Sequence, residues 1–250
     1  MFLVDIVHHM WRMGGIPQEL VWTVLVLIPK GTTDTRGIGL LKTLWKVVEA
    51  LIDTRLRSSL KIHDVLHRFR AGKGMGTAIM EFKLTQEISS IYQGPLFLLF
   101  LDLRKTYDTV DQDCILITLE GYGAGPQLCG LLKTFWGCHK VVLVHNCFHG
   151  PTLPATRGTT KVGLVSPMLF NAVVDNVIRS WLAMKVDDHR VAHDGLGETV
   201  GRYLGVFYDE DGMVGSRDSD WLQNVMNVLV GLFRRYGMAA NIAKSRTMKC

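Results

Sequence analysis

At 250 residues with a formal charge of +5, the chain is long enough to bury a sizeable core as one large domain or two lobes, and its modest excess of base suits a partner with a phosphate backbone. Hydrophobic residues make up 48% of it, yet no apolar run approaches the roughly 20 residues of a membrane span, and His8, His9, Trp11 and Arg12 interrupt the N-terminus, unlike a signal peptide. Five cysteines without CxxC pairing argue against a disulfide framework and for reduced thiols, so the expectation is an intracellular protein, nuclear or cytoplasmic, with no membrane partner.

No internal repeat, low-complexity tract or charge run divides the chain, so periodicity must organise it. Val21 to Ile28 predicts a strand ended by Pro29, and Leu40, Leu41, Leu44, Val47, Val48, Leu51, Ile52 and Leu56 recur at helical spacing. The run Leu96 to Leu101 is apolar on both faces and predicts a buried central strand that delivers Asp102 to its tip. Asp108 and Asp111 read as helix-start residues that accept backbone N–H bonds. Ile115 to Leu119 and Leu128 to Trp136 predict two short helices, separated by Gly121, Gly123, Gly125 and Pro126. Lys140 to Val144 predicts a hairpin strand, and that reading prevails over a zinc site at Cys138, His139, His145, Cys147 and His149, whose spacing does not fit one. Pro167 suits the first turn of a helix over Met168 to Leu182. Tyr208-Asp209-Glu210-Asp211 ends another strand, and Asp218 or Asp220 caps a last helix that runs to about Arg235 and stops at Gly237.

The chemistry gathers at the two acidic clusters. Asp102 ends one apolar strand and Asp209, Glu210 and Asp211 end another, and two-metal phosphoryl transfer needs carboxylates from separate strands converging on paired ions. At these residues the chain resembles the reverse transcriptase domain of non-LTR retrotransposons and group II intron-type elements. In order, IPQELVWTVLVLIPKG resembles the start of the fingers, RGIGLL the basic fingers strand and FRAGKGMGTA the Gly-rich segment before the palm. FLDLRKTYDTVD, TRGTTKVGLVSPMLFN, FYDEDGMV and GMAANIAKSRTM are similar to four successive palm motifs. One YxDD-like tetrapeptide occurs by chance, whereas an ordered series of such segments is strong evidence.

The resemblance implies an α+β fold, a polymerase palm of antiparallel sheet backed by helices with N-terminal fingers; periodicity alone gives only α+β. It implies a fingers region at 1–95 and a palm region at 96–250. The implied activity is RNA-directed DNA polymerisation: an RNA template, a DNA primer, deoxynucleoside triphosphates, and two Mg²⁺ ions, or Mn²⁺, held by the catalytic carboxylates Asp102, Glu210 and Asp211. Lys30 and Arg36 stand where family members reach over the incoming triphosphate, Lys as a compact point charge and Arg as a planar fork. Tyr107 stands where an aromatic ring packs against the nucleotide sugar and obstructs a 2′-hydroxyl. Lys244 matches a lysine near the leaving pyrophosphate, where a cation stabilises developing charge or donates a proton, and Ser245 replaces the usual Thr beside it.

Departures from the family pattern fall in the same motifs. Lys161 and Val162 replace Gln and Gly; Val restricts φ where Gly permits close backbone approach, and Lys161 loses the amide's paired donor and acceptor while gaining an attraction for phosphate. Glu210 replaces the leading metal-binding Asp, and an ångström of misplacement near the chemistry costs on the order of 10²-fold in rate. Asp209 adds negative charge where a primer phosphate should pass. The chain stops just past the fourth palm motif, so a thumb is not expected within it. The expectation is a weak or inactive polymerase, with a non-catalytic retroelement remnant that retains residual nucleic-acid binding as the alternative. Tyr107 and the fingers segments argue against other palm enzymes such as viral RNA-dependent polymerases or nucleotide cyclases.

Overall fold

The computed structural model describes residues 2–30, 34–91, 95–145, 148–160, 163–184 and 204–250. In chain order the elements are α1 (Phe2–Met13), β1 (Trp22–Lys30), β2 (Asp34–Leu41), α2 (Thr43–Ser59), α3 (Met75–Ile91), β3 (Phe97–Arg104), α4 (Thr106–Thr109), α5 (Gln112–Gly121) and α6 (Pro126–Cys138). They continue as β4 (Lys140–His145), β5 (Phe148–Pro154), α7 (Ser166–Ala183), β6 (Leu204–Tyr208), β7 (Asp211–Ser216), α8 (Ser219–Arg235), β8 (Ala239–Ala240) and β9 (Arg246–Lys249). The chain divides into two compact units, Met1–Lys61 with Tyr107–Val173, and Ile62–Thr106 with Val174–Cys250. The α+β class expected from the sequence is the one observed.

The first unit carries a four-stranded sheet in the order β2-β1-β4-β5. β1 pairs antiparallel with β2 and parallel with β4. The predicted first strand does not stop at Pro29: it continues to Lys30, with Pro29 opposite Thr35. The described pairing of β4 with β1 runs from Trp22 to Val26. Leu40 and Leu41 close β2 instead of opening the following helix. The buried stripe of α2 is Trp45, Val48, Glu49, Ile52 and Leu56, while Val47 and Leu51 are exposed. Trp45 stacks on Phe135 of α6 with ring centroids 3.9 Å apart. His139 is buried and its Nε2 lies 2.7 Å from Thr23 Oγ1; burial lowers its pKa to about 4. It is a core histidine bonded across the sheet, and β4 forms the predicted hairpin with β5. Cys147 of the zinc alternative lies outside the described residues.

The second unit is organised around β3, which pairs antiparallel with β7, β8 and β9, while β6 extends the sheet beyond β7. Leu98, Leu99, Leu101 and Leu103 of β3 are all buried, the two-sided burial expected of a central apolar strand. Leu96, Leu98, Val206 and Met213 form a core against which Ala78, Phe82 and Phe100 pack. α8 starts at Asp218, whose carboxylate accepts from the backbone N–H groups of Asp220 and Trp221, and Gly237 follows its end with φ 78°, the left-handed stop that glycine adopts without strain. Asp111 caps α5 in the same way, accepting from Asp113 and Cys114.

Candidate active site

The site begins with strand register. β3 and β7 pair so that Asp102 lies directly opposite Asp211, and directly opposed residues share a face of the sheet with Cβ atoms about 5 Å apart. The hairpin between β6 and β7 turns on Asp209 and Glu210, with Tyr208 opposite Asp211. These acidic residues therefore occupy a two-residue turn and the start of the next strand; they do not simply end one. Asp209 has φ 61°, a left-handed conformation that Asp tolerates better than most residues. Gly212 lies opposite Phe207, and a Cβ there would meet the Phe207 ring at 2.6 Å. Glycine at that position lets the ring fold over the strand and seat the hairpin.

The carboxylates of this unit have distinct partners. Asp211 has its pKa raised, first by desolvation and then by the negative charges of Asp102 and Asp209, while Lys244 and Arg68 hold it down. Asp209 pairs with Arg68. Glu210 Oε1 accepts from the backbone N–H of Thr106 at 3.1 Å and from its hydroxyl at 2.6 Å, and the Glu210 carbonyl accepts from Leu103 N at 2.9 Å. The leading acidic position of the third palm motif thus braces the chain just after β3, while Asp102 and Asp211 face each other.

The fourth palm motif holds Asp102 by its backbone. Asp102 N donates to Ser245 Oγ at 3.2 Å, and its carbonyl accepts from Asn241 N at 2.7 Å. Ser245 Oγ also donates to Asn241 O at 3.0 Å. A serine hydroxyl suffices for both bonds, so the Thr-to-Ser departure leaves this clamp intact. The same turn carries the exposed Lys244 toward Asp211, whose carboxyl feels its charge.

The remaining predicted residues belong to the first unit. Lys30 and Arg36 lie on the β1–β2 ladder, opposite Asp34 and Ile28 respectively; their side chains lie outside the described residues, as do Lys161 and Val162 altogether. The Tyr107 ring is half-buried, tilted against Phe170 with centroids 4.9 Å apart, and the Tyr107 carbonyl accepts from Thr159 N at 2.8 Å. Gly158 has φ 75°, and a Cβ there would meet Tyr107 O at 2.4 Å, so only glycine lets the second palm motif lie this close to the first.

Sequence reasoning missed three charged residues that shape these motifs. Glu49, 1% exposed, accepts from Trp45 Nε1, Thr160 Oγ1 and Leu164 N at 3.1, 3.1 and 2.8 Å. Asp175, fully buried, accepts from His63 N at 2.5 Å and Arg179 Nε at 2.7 Å. Arg68 is the third. A carboxylate inside an apolar helical stripe, as at Glu49, was the available signal.

Among the described residues no group of three or more His, Cys, Asp or Glu side chains is arranged to hold a metal ion. Magnesium in phosphoryl-transfer sites is bound by one or two carboxylates, with waters and substrate phosphates completing the shell. The hard oxygens of Asp102 and Asp211, opposed and mutually repelling, fit that requirement.

The family model described as reverse transcriptase (RNA-dependent DNA polymerase) matches residues 28–250, and the chain belongs to that family. It is 26% identical over 205 residues to the transposon TX1 uncharacterized 149 kDa protein of Xenopus laevis, covering 76% of this chain and 16% of that protein. It is 25% identical over 253 residues to the retrovirus-related Pol polyprotein from type-1 retrotransposable element R2 of Popillia japonica, covering 95% of this chain and 33% of that protein. The chain therefore spans a minor part of the retroelement proteins it matches. Telomerase from Candida albicans, solved in complex with a TWJ fragment of telomeric RNA, superposes with a TM-score of 0.66 at 15% identity, over 93% of this chain and 43% of that one. The architecture is that of a polymerase with palm and fingers, and the chain is a reverse transcriptase domain of the retroelement kind.

Proposed function

We propose that this domain carries out RNA-directed DNA synthesis, adding deoxynucleotides to a DNA primer on an RNA template, with weak activity in this copy. The observation that carries the reading is the Asp102–Asp211 pair across the β3–β7 ladder. Two magnesium ions, or manganese, when bound there supply Lewis-acid activation of the primer 3′-hydroxyl and stabilisation of the leaving pyrophosphate oxygen. Asp102, Glu210 and Asp211 would hold the ions, Glu210 being bonded to Thr106 in this structure. Lys244 supplies positive charge beside Asp211, in keeping with a role at the leaving group. Lys30, Arg36 and Lys161 neutralise triphosphate charge. Tyr107, backed by Phe170, offers the stiff aromatic surface that sugar discrimination requires. The motifs assign 1–95 to the fingers and 96–250 to the palm. The free thiols of Cys114, Cys129, Cys138 and Cys250 support an intracellular setting, nuclear or cytoplasmic.

A second reading, a non-catalytic remnant with residual nucleic-acid binding, is favoured by one observation: Asp209 and Glu210 are engaged by Arg68 and Thr106. Extension of oligo(dT) on poly(rA) with Mg²⁺ or Mn²⁺ separates the two. The polymerase reading expects slow extension, abolished by Asp102→Asn and raised by combining Glu210→Asp with Asp209→Ala, Lys161→Gln and Val162→Gly. No extension by that folded combination leaves the remnant reading standing. Robust extension by the unmodified chain removes it.

A further inference from the structure

Arg68 has no part in the reaction as described, yet its place beside the carboxylates is firmly built. The segment that carries it is docked on β6: Phe207 N donates to Val65 O at 2.7 Å and His67 N donates to Phe207 O at 2.9 Å. His67 is fully buried, with Nδ1 2.8 Å from Thr77 Oγ1 and Nε2 3.2 Å from Glu81. Arg70 Nη1 donates to the carbonyls of His63 and Leu66 at 2.8 and 3.1 Å, closing the loop on itself. From this base the Arg68 guanidinium lies 4.6 Å from the Phe69 ring centroid and 5.4 Å from that of Tyr208. Aromatic faces at such distances attract a guanidinium and restrict its rotamers. Its terminal nitrogen pairs with Asp209, at the hairpin turn that precedes Asp211.

We propose that Arg68 is an internal counter-cation of the carboxylate site, withholding Asp209 from a divalent ion and opposing that ion's charge, so that Arg68 sets the metal affinity of the Asp102–Asp211 pair. The proposal rests on the reading of that pair as the metal site. A cation needs no shared atom to compete, because two like charges within a Debye length, about 8 Å at physiological salt, repel directly. Two substitutions then act in opposite directions. Arg68→Gln removes a positive charge and its hold on Asp209, which strengthens binding. Asp209→Asn leaves Arg68 without that carboxylate beside the site, which weakens it.

The test is Mn²⁺ binding by the whole chain, followed by electron paramagnetic resonance of the free ion, with circular dichroism as the check on folding. Arg68→Gln should bind Mn²⁺ at least about fivefold more tightly than the unmodified chain, Arg68→Lys about equally, and Asp209→Asn several-fold more weakly. Arg68→Gln combined with Asp209→Asn, which restores the net charge, should return to within about threefold of the original. Should Arg68→Gln fail to fold, Arg68→Met, which also removes the charge while keeping an apolar stem, takes its place with the same expected gain. A merely structural ion pair predicts that Arg68→Gln and Asp209→Asn weaken binding alike, and that result overturns the proposal. Asp102→Asn with Asp211→Asn tests the underlying reading separately: if it leaves Mn²⁺ binding unchanged, the metal site is wrong; if it abolishes binding while Arg68→Gln gives no gain, only the role of Arg68 is.

Discussion

Glu49 is the residue whose replacement is most readily worked out from the structure. Its carboxylate, 1% exposed on α2, accepts from Trp45 Nε1, Thr160 Oγ1 and Leu164 N, and so ties both ends of the second palm motif's loop to the helix. Glu49→Ala removes all these bonds and strands donors in a buried place. Each stranded group costs about 1–3 kcal/mol, so a loss of about 3–5 kcal/mol follows, or roughly 6–20 °C in Tm for a chain of this size. Glu49→Gln keeps the shape but turns an amide NH2 toward a donor, and should cost about 1–2 kcal/mol. Burial raises the Glu49 pKa above its ordinary 4.5. Its protonated form therefore favours folding: this contribution is fully present below about 4.5 and is lost as pH rises through the raised value. Since glutamine does not titrate, the penalty of Glu49→Gln should be largest near pH 4 and shrink toward pH 8. Urea unfolding followed by tryptophan fluorescence measures both effects. Stabilities of both variants within about 0.5 kcal/mol of the unmodified chain would refute the reasoning.

The carboxylate pair makes a prediction of opposite sign. The folded pKa of Asp211 is raised above its ordinary 3.8, so its favourable contribution is present below that value and lost as pH rises through the folded one. Asp102→Asn, which removes one repelling charge, should raise Tm at pH 7 by on the order of 1–3 °C and have no such effect at pH 3; a lower Tm at pH 7 would mean that the two carboxylates do not oppose each other. Ser245→Ala should cost about 1 kcal/mol and speed hydrogen exchange at the Asp102 amide, while Ser245→Thr should preserve both; equal exchange in all three chains would show that the hydroxyl does not hold Asp102.

Local pattern carried a good deal of this molecule. Resemblance to the palm motifs singled out Asp102, Glu210 and Asp211; the apolar run before Asp102 predicted the central strand, and Asp111 and Asp218 sit before apolar helices where capping carboxylates belong. Such features depend on interactions within a few residues or on period alone, so a linear string contains them. The end of β1 was misread because Pro29 is accommodated in the antiparallel ladder opposite Thr35, and a proline removes a ladder bond only where its missing N–H would face the partner strand. Glu49 was missed because two of its donors, Thr160 and Leu164, lie 111 and 115 residues along the chain. The acidic turn is the same case. Its composition announced a metal site, but Thr106, 104 residues from Glu210, and Arg68, 141 residues from Asp209, decide what each carboxylate does. A side chain's chemistry is legible in sequence, whereas its partner is set by which distant segments the fold brings within hydrogen-bond reach, and only the tertiary structure decides that.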